Sequence, residues 1–337
     1  MIPAAMRTTR AAIGVGLLTT VALVAAAAPL LSPNQPNAQF PDRAYAPPMR
    51  IHIWDGARVR LPFVYRQVLE HRLARRYRED RSTPATLAWL SGGSLVTVAS
   101  DDGPLLLLGA DALGRDVFSR LLHGARLSFC VALVGMAGAL VLGVLVGGLA
   151  GSAGGITETV LMLVADFLLV LPGAYLVLVA RGVLPLVLSV REVFFLMAAL
   201  LAVAAWPHAA RGVRAIVATE RHRDYAMAAR AAGGTPFRVM RHLLPAARGF
   251  LGVEIMLLIP ALLVGEATVS YLGLGFPVPT ASLGTMLQDA ATPRLMADAP
   301  WLLAPAAALF VVVLAVQLVV WTSAPATELL TGRRHLQ

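Results

Sequence analysis

The chain has 337 residues, of which 58% are hydrophobic and only 14% are charged. A soluble protein of this length needs more polar side chains to cover its surface, so this composition excludes an ordinary soluble enzyme. All 28 basic residues behind the formal net charge of +9 are arginines, because the sequence contains no lysine. The arginines alternate with long apolar stretches, which indicates that they set membrane topology and do not bind nucleic acid.

Six apolar stretches are long enough to cross a hydrocarbon core of about 30 Å, which takes about 20 helical residues. The sequence therefore predicts an all-α, polytopic integral membrane protein. The first span could instead be a cleaved signal peptide, but its apolar run exceeds the usual length of a signal sequence, so we expect residues 1–31 to remain as an N-terminal anchor helix. The predicted spans are residues 11–31, 127–150, 159–180, 193–210, 250–274 and 301–322.

Arginines in short loops predict the orientation of these spans. Eight of them fall between spans four and five, in the loop 211–248, and Arg333 and Arg334 lie in the tail 323–337. Since Arg7 and Arg10 also precede the first span, we expect both termini and the loop 211–248 to be cytoplasmic.

A long segment, residues 32–108, separates the first two spans and must lie outside the cytoplasm if the termini are inside. It carries many arginines, but loops longer than about 60 residues are largely exempt from the charge rule. We expect a small extracytoplasmic insertion, in which Tyr65 to Asp80 forms a short charged helix, before a permease core at 109–322.

The cytoplasmic loop predicts two short helices joined by a tight turn. Thr219 to Ala232 is alanine-rich and should be helical, with Thr219 as N-cap. Gly233 and Gly234 should end this helix, and Thr235 and Pro236 should begin a second one that stops before Pro245. Such a hairpin can transmit a push from a partner into the bilayer.

The chemistry of an energy source is absent from this chain. A phosphate-binding loop of the form GxxxxGK[ST] needs a lysine, and none exists here. No HExxH motif or clustered cysteine and histidine at metal-ligand spacing is present, so we expect no catalytic residue, cofactor or metal in this chain.

Two acidic residues within predicted spans are candidates for a translocation pathway. An ionisable residue at that depth usually faces a water-filled cavity or the bundle interior. Asp166 is the deeper of the two and could instead form a structural pair. Glu266 could instead support packing near the outer end of span five.

Three motifs carry a resemblance to a known family. Residues 224–233 (DYAMAARAAG), followed by Leu244 and Pro245, resemble the EAA loop of binding-protein-dependent ABC importer permeases, with Met227 in place of the usual Glu. Residues 109–126 (GADALGRDVFSRLLHGAR) and 266–284 resemble C-type permeases of the dipeptide/oligopeptide/nickel branch. We interpret the first of these two as an amphipathic helix at the outer interface.

The resemblance implies a fold of the type I ABC importer kind with six transmembrane helices, located in the bacterial inner membrane. It implies a second, homologous permease subunit, an extracytoplasmic solute-binding protein and two ATPase subunits that hold ATP and Mg. Peptides are the expected solute, with nickel or another small solute as alternatives. The ATPase-coupling residues implied are Asp224, Tyr225, Met227, Ala228, Ala229, Gly233, Thr235 and Pro236.

Two other classes of protein remain as alternatives. A secondary transporter driven by an ion gradient would be expected to show inverted repeats and broken helices with midplane charges. An integral-membrane enzyme would need acid, base or metal-binding groups clustered at one depth. Copurification with a separate ATPase would distinguish the ABC importer from both.

Overall fold

The computed structural model describes residues 4–54, 59–71, 75–91, 93–98, 103–171, 188–231 and 236–323. The chain divides into two compact units. The helical unit comprises Met1–Gly16, Cys130–Val269 and Val312–Gln337, and the sheet-bearing unit comprises Leu17–Phe129 and Ser270–Val311. The predicted tail, residues 323–337, lies outside the described residues except for Ser323.

Helices make up most of the described chain. In the part of the chain that the structure describes, five helical segments are long and apolar enough to cross a membrane, at Thr9–Ala26, Val117–Ala153, Val190–Glu220, Met240–Tyr271 and Pro300–Val320. The α-helices are α1 Ala4–Ala26, α2 Ala28–Leu31, α3 Val117–Ala153, α4 Gly155–Val170, α5 Val190–Glu220, α6 Asp224–Ala231, α7 Pro236–Leu243, α8 Arg248–Tyr271, α9 Leu283–Asp289, α10 Pro293–Asp298 and α11 Ala304–Ser323.

Predicted span three corresponds to α4 over its first part. Its second part, from residue 172 onwards, lies outside the described residues, so the count of six spans stays a prediction. Predicted spans two and four are both too short. In particular, α5 continues from residue 210 to Glu220, which gives a helix of 31 residues, or about 46 Å. The start of the predicted loop 211–248 is therefore helical.

The prediction of an all-α fold is wrong in the segment between residues 51 and 98. This segment forms an antiparallel sheet in the order β1-β2-β3-β4. Its strands are β1 Ile51–Trp54, β2 Val59–His71, β3 Arg76–Ser91 and β4 Ser94–Val98. The sheet packs its inner side on a small core made of Ala46, Met49, Val64, Ala85, Leu87, Leu105, Leu106 and Ala110.

The short charged helix predicted for Tyr65 to Asp80 is accordingly a β-hairpin made by β2 and β3. Arg66 lies opposite Asp80 and Leu69 lies opposite Tyr77 across the two strands. Opposite charges that could pair along a helix can pair equally well across a hairpin, so charge spacing does not distinguish the two structures. Burial of the neighbouring apolar side chains determines which one forms. Here Phe63 and Val64 of β2 are buried, which fixes the strand.

A ridge of glycines on α3 packs against α5 within the helical unit. Gly143, Gly147 and Gly151 recur every four residues, and the backbone of α5 at Ala209 and Ala210 lies against this ridge. A Cβ atom on Gly151 would lie 2.8 Å from the carbonyl oxygen of Arg214. The small residues let the two backbones approach closely, as expected for helices that associate in lipid.

The close approach predicts that Gly147→Ala destabilises the protein. Its added methyl would collide with the backbone of Ala210, and overpacking of this kind costs about 1–3 kcal/mol. Thermal unfolding in detergent should show a lower midpoint. Gly252→Ala on α8 is the matched control, because nothing lies within 4 Å of the position of its new Cβ. Equal midpoints for the two variants would contradict the packing argument.

Candidate functional site

The predicted hairpin exists as α6 and α7, but its first helix begins later than expected. Thr219 does not cap it, because its hydroxyl donates to the carbonyl oxygen of Ala215 at 3.0 Å within α5. The chain turns after Glu220, and α6 begins at Asp224. The backbone N–H groups of Ala226 and Met227 donate to the carbonyl oxygen of Arg223, which starts the new helix.

The hairpin is anchored on α5 by a small apolar core. Ala226 of α6 and Leu243 of α7 are fully buried, and both pack with Val213 and Val217 of α5. Ala247, in the turn between α7 and α8, completes this core. Because apolar contacts fix both short helices to α5, a displacement of the hairpin must also displace α5.

The opposite side of α6 is open to solvent. Tyr225 and Met227 are 47% and 50% exposed, and Asp224 and Ala228 are exposed as well. These are four of the predicted coupling residues. Ala229 lies in α6 and Pro236 begins α7, whereas Gly233 and Thr235 lie outside the described residues.

Polar contacts link the start of α6 to the end of α5. The hydroxyl of Tyr225 donates to Oε2 of Glu220 at 2.8 Å, and this hydrogen bond raises the pKa of Tyr225. Arg223 forms an ion pair with the same carboxylate at 3.3 Å. Glu220 thereby fixes the turn that separates the two helices.

Ion pairs also connect α4 to the C-terminal part of α5, which is the end predicted to lie at the cytoplasm. Oδ1 of Asp166 accepts from Nε of Arg211 at 3.0 Å, which is the structural pairing that the sequence left as an alternative for Asp166. Glu158 binds Arg214 and lies 3.5 Å from Arg221. A role of Asp166 in a pathway stays a prediction.

Glu266, the other candidate, is fully buried in α8. Its side chain therefore does not face open space on this chain, and its role in a pathway also stays a prediction.

The sequence interpretation missed a buried polar cluster in the sheet-bearing unit. Residues 109–116 do not form part of an amphipathic helix, because α3 begins only at Val117. Oδ2 of Asp111 accepts from Nε of Arg115 at 2.6 Å, and both side chains are about 5% exposed or less. Arg115 and Arg120 also reach Asp289 of α9, at 3.2 and 3.6 Å.

Asp116 in the same motif caps α3. Its carboxylate accepts from the backbone N–H of Phe118 at 3.1 Å and from Nδ2 of Asn34 at 3.0 Å. Burial raises the pKa of Asp116, and its hydrogen bonds, first that from Ser119, oppose this shift. The spacing of Asp116 and Ser119 before an apolar run is a helix N-terminus signature that could have revealed the start of α3.

Comparison with known proteins places these features in a family context. A family model described as "Binding-protein-dependent transport system inner membrane component" matches residues 139–324, which is more than half of the chain. The matched region includes α5, the hairpin and α8.

Individual relatives agree with this match. The chain is 35% identical over 182 residues to the oligopeptide transport system permease protein OppC of Bacillus subtilis (strain 168), covering 54% of this chain and 58% of that protein. It is 32% identical over 208 residues to OppC of Lactococcus lactis subsp. cremoris (strain SK11), covering 61% and 69%. It is 34% identical over 220 residues to the di/tripeptide transport system permease protein DppC of Pseudomonas aeruginosa (strain UCBPP-PA14), covering 64% and 65%.

The pairing of α4 with α5 predicts a charge-swap rescue. Asp166→Arg places two guanidinium groups together and should lower the thermal unfolding midpoint in detergent. Adding Arg211→Asp restores the ion pair with its two charges exchanged and should recover most of the decrease in the unfolding midpoint. Since both side chains are about half exposed, the pair contributes on the order of 1 kcal/mol or less. A double variant no more stable than Asp166→Arg would argue against the contact.

The buried cluster predicts unequal costs for its two acids. Asp111→Asn should destabilise the protein by about 3–5 kcal/mol, because it removes a buried partner of two arginines. Asp289→Asn should cost much less, since its carboxylate is 42% exposed and Asp111 remains. The thermal unfolding midpoint and the amount of protein inserted in the membrane should be measured for both variants. The reverse order would show that Asp289 is the principal counter-ion.

Proposed function

Because this chain belongs to the family of binding-protein-dependent transport system inner membrane components, we propose that it is the permease subunit of an ATP-driven importer of short peptides. The relatives named above are oligopeptide and di/tripeptide permeases, which favours peptides over nickel or another solute. The hairpin formed by α6 and α7 carries the proposal, because it is fixed to a long helix on one side and open to a partner on the other.

Coupling to a separate ATPase follows from this arrangement. A chain without lysine cannot build a phosphate-binding loop, so ATP and Mg bind to partner subunits. Closure of two such subunits moves the exposed side of α6, and the core around Val213 and Leu243 transfers the movement to α5. ATP binding then supplies the differential affinity that shifts the equilibrium between two conformations.

Met227 sets the character of the contact with the ATPase. Where the family signature carries a glutamate, this chain presents a half-exposed thioether. Met fits irregular apolar surfaces well, so the contact here is apolar at this position. Asp224, which is exposed one turn earlier, supplies the negative charge.

The complete importer contains further parts in this proposal. A second, homologous permease completes the pathway, and a solute-binding protein delivers the peptide from outside. This chain crosses the bacterial inner membrane six times, with both termini in the cytoplasm and the sheet of β1 to β4 outside it. The arginines of the loop 211–248 support this orientation.

The proposal is tested by Met227→Arg in the reconstituted importer, which introduces neither the thioether of this chain nor the acid of the family signature. The substitution is on an exposed side chain, so the protein should still fold, while a charge replaces the apolar contact. Peptide uptake and peptide-stimulated ATP hydrolysis should fall together by about tenfold or more.

Val278→Arg is the control, because Val278 is 85% exposed and lies outside the hairpin. It should leave both activities unchanged. Uptake energised by an ion gradient without ATPase subunits would refute the proposal. So would full activity of Met227→Arg.

A further inference from the structure

Apolar side chains are exposed at one end of the sheet formed by β1 to β4. Val59 of β2 and Leu90 of β3 are 74% and 75% exposed, and Trp54 of β1 lies opposite Val59 and is exposed as well. The exposed apolar residues form two apolar tips, of which the first consists of Ile53, Trp54, Val59 and Leu61 and the second of Trp89 and Leu90.

The two apolar tips belong to separate hairpins. The pairing of β2 with β3 runs from Phe63 opposite Thr86 to His71 opposite Arg76. Towards the tips, β2 pairs with β1 and β3 pairs with β4. The exposed apolar side chains therefore lie at the ends of two hairpins. Single exposed apolar residues are normal on a protein surface, but a cluster of them marks a contact with a membrane or with another protein.

Charged residues occupy the opposite end of the sheet. Five of the six residues 76–81, at the start of β3, are charged, whereas residues 82–98 contain no charged side chain. In β2 the charged residues Arg66 and Glu70 also lie in the half that pairs with the start of β3. The sheet is therefore charged at one end and apolar at the other, which is the distribution expected when one end lies in water and the other in an apolar phase.

The sheet is attached close to the ends of two candidate membrane spans. The short helix α2 begins two residues after the end of α1 and lies beside β4. The core beneath the sheet includes Ala110, which precedes the start of α3 by seven residues. Both α1 and α3 are long and apolar enough to cross a membrane. These short connections hold the sheet at the membrane surface.

We propose that the two apolar tips insert into the headgroup layer of the lipid bilayer beside α1 and α3. Tryptophan is enriched in this layer, and each tip carries one. Arg50 and Arg60 are exposed next to the first tip, where guanidinium groups are attracted to anionic lipid headgroups. The bilayer contact requires only that α1 and α3 cross the membrane, and the proposed orientation makes the contacted leaflet the outer one.

The position and the shape of the tips favour lipid over a protein partner. A specific protein interface buries about 800 Å² on each partner in one complementary surface. Two separate hairpin ends provide two small apolar areas instead, and a fluid bilayer can accept each of them independently. In addition, β4 begins four residues after Leu90 and lies beside α2, whose Leu30 is exposed. The second tip thus adjoins the end of a helix that contacts lipid.

The first test measures the surroundings of each tip in the full chain, in nanodiscs of phosphatidylcholine and phosphatidylglycerol in equal amounts. Nitroxide labels are placed on Val59→Cys, Leu90→Cys and Ser82→Cys after Cys130→Ala removes the natural thiol. Ser82 is the matched control, because it is exposed at the charged end of the sheet. The ratio of collisions with oxygen to collisions with a charged nickel chelate should be about tenfold higher at both tips than at Ser82, since apolar and charged solutes partition oppositely between lipid and water.

The second test removes the apolar character of one tip. With the label on Val59→Cys, Trp54→Asp should lower the collision ratio about tenfold, to the value at Ser82, because a buried carboxylate is costly in lipid. Val68→Asp is the matched control, because Val68 is an exposed apolar residue of the same strand in the half that pairs with Arg78. It should leave the ratio at Val59 unchanged.

The possible outcomes differ clearly from one another. Equal access of the nickel chelate to Val59, Leu90 and Ser82 would place the tips in water and overturn the inference. Low access of both oxygen and nickel chelate at the tips would show a protein contact and would overturn it as well. So would an unchanged ratio in Trp54→Asp. Neither test measures peptide uptake, so failure of this inference and failure of the proposed function are detected separately.

Discussion

The packing of the α6–α7 hairpin on α5 is the interaction on which the rest of the structure depends. Val213 and Val217 meet Ala226 and Leu243 in a fully buried apolar core. Burying a Val or Leu side chain contributes about 1.5–3 kcal/mol, whereas a half-exposed ion pair contributes about 0–1 kcal/mol. The apolar core, more than the surrounding ion pairs, therefore makes the hairpin and α5 one mechanical body.

The glycine ridge extends this body to α3. Gly143, Gly147 and Gly151 bring the α3 backbone against α5, and Met240 of α7 lies against Gly148 of the same helix. In lipid, helices gain little from the hydrophobic effect and associate through close packing instead. The two helices can be this close only where α3 has glycine. A small sliding movement of α5 along α3 would bring its backbone against the Cβ atoms of neighbouring residues and is therefore disfavoured. The helices α3 and α5 therefore move together when the hairpin moves.

Local patterns in the sequence predicted the parts of this structure that depend on local physics. Apolar length predicted the long helices, and Pro236 was correctly predicted to begin the second helix of the hairpin. The failures involve partners distant in sequence. The hairpin of β2 and β3 was predicted as a helix because its charge spacing suits both structures. The burial of Phe63 and Val64, which determines the strand, depends on residues outside this segment. Asp166 could not be assigned to Arg211, 45 residues away, and nothing local shows that Asp111 and Asp289 share two arginines.

The hairpin lies in the chain between α5 and α8, and its core joins these two long helices. The last turns of α5 and the turn before α8 share the core of Val213, Leu243 and Ala247, and Phe250 at the start of α8 packs against it. Because both helices start from one core, a displacement of the hairpin would move the adjoining ends of α5 and α8 together. A push on the exposed side of α6 would therefore act on two long helices at once, and neither could follow it alone without breaking this core.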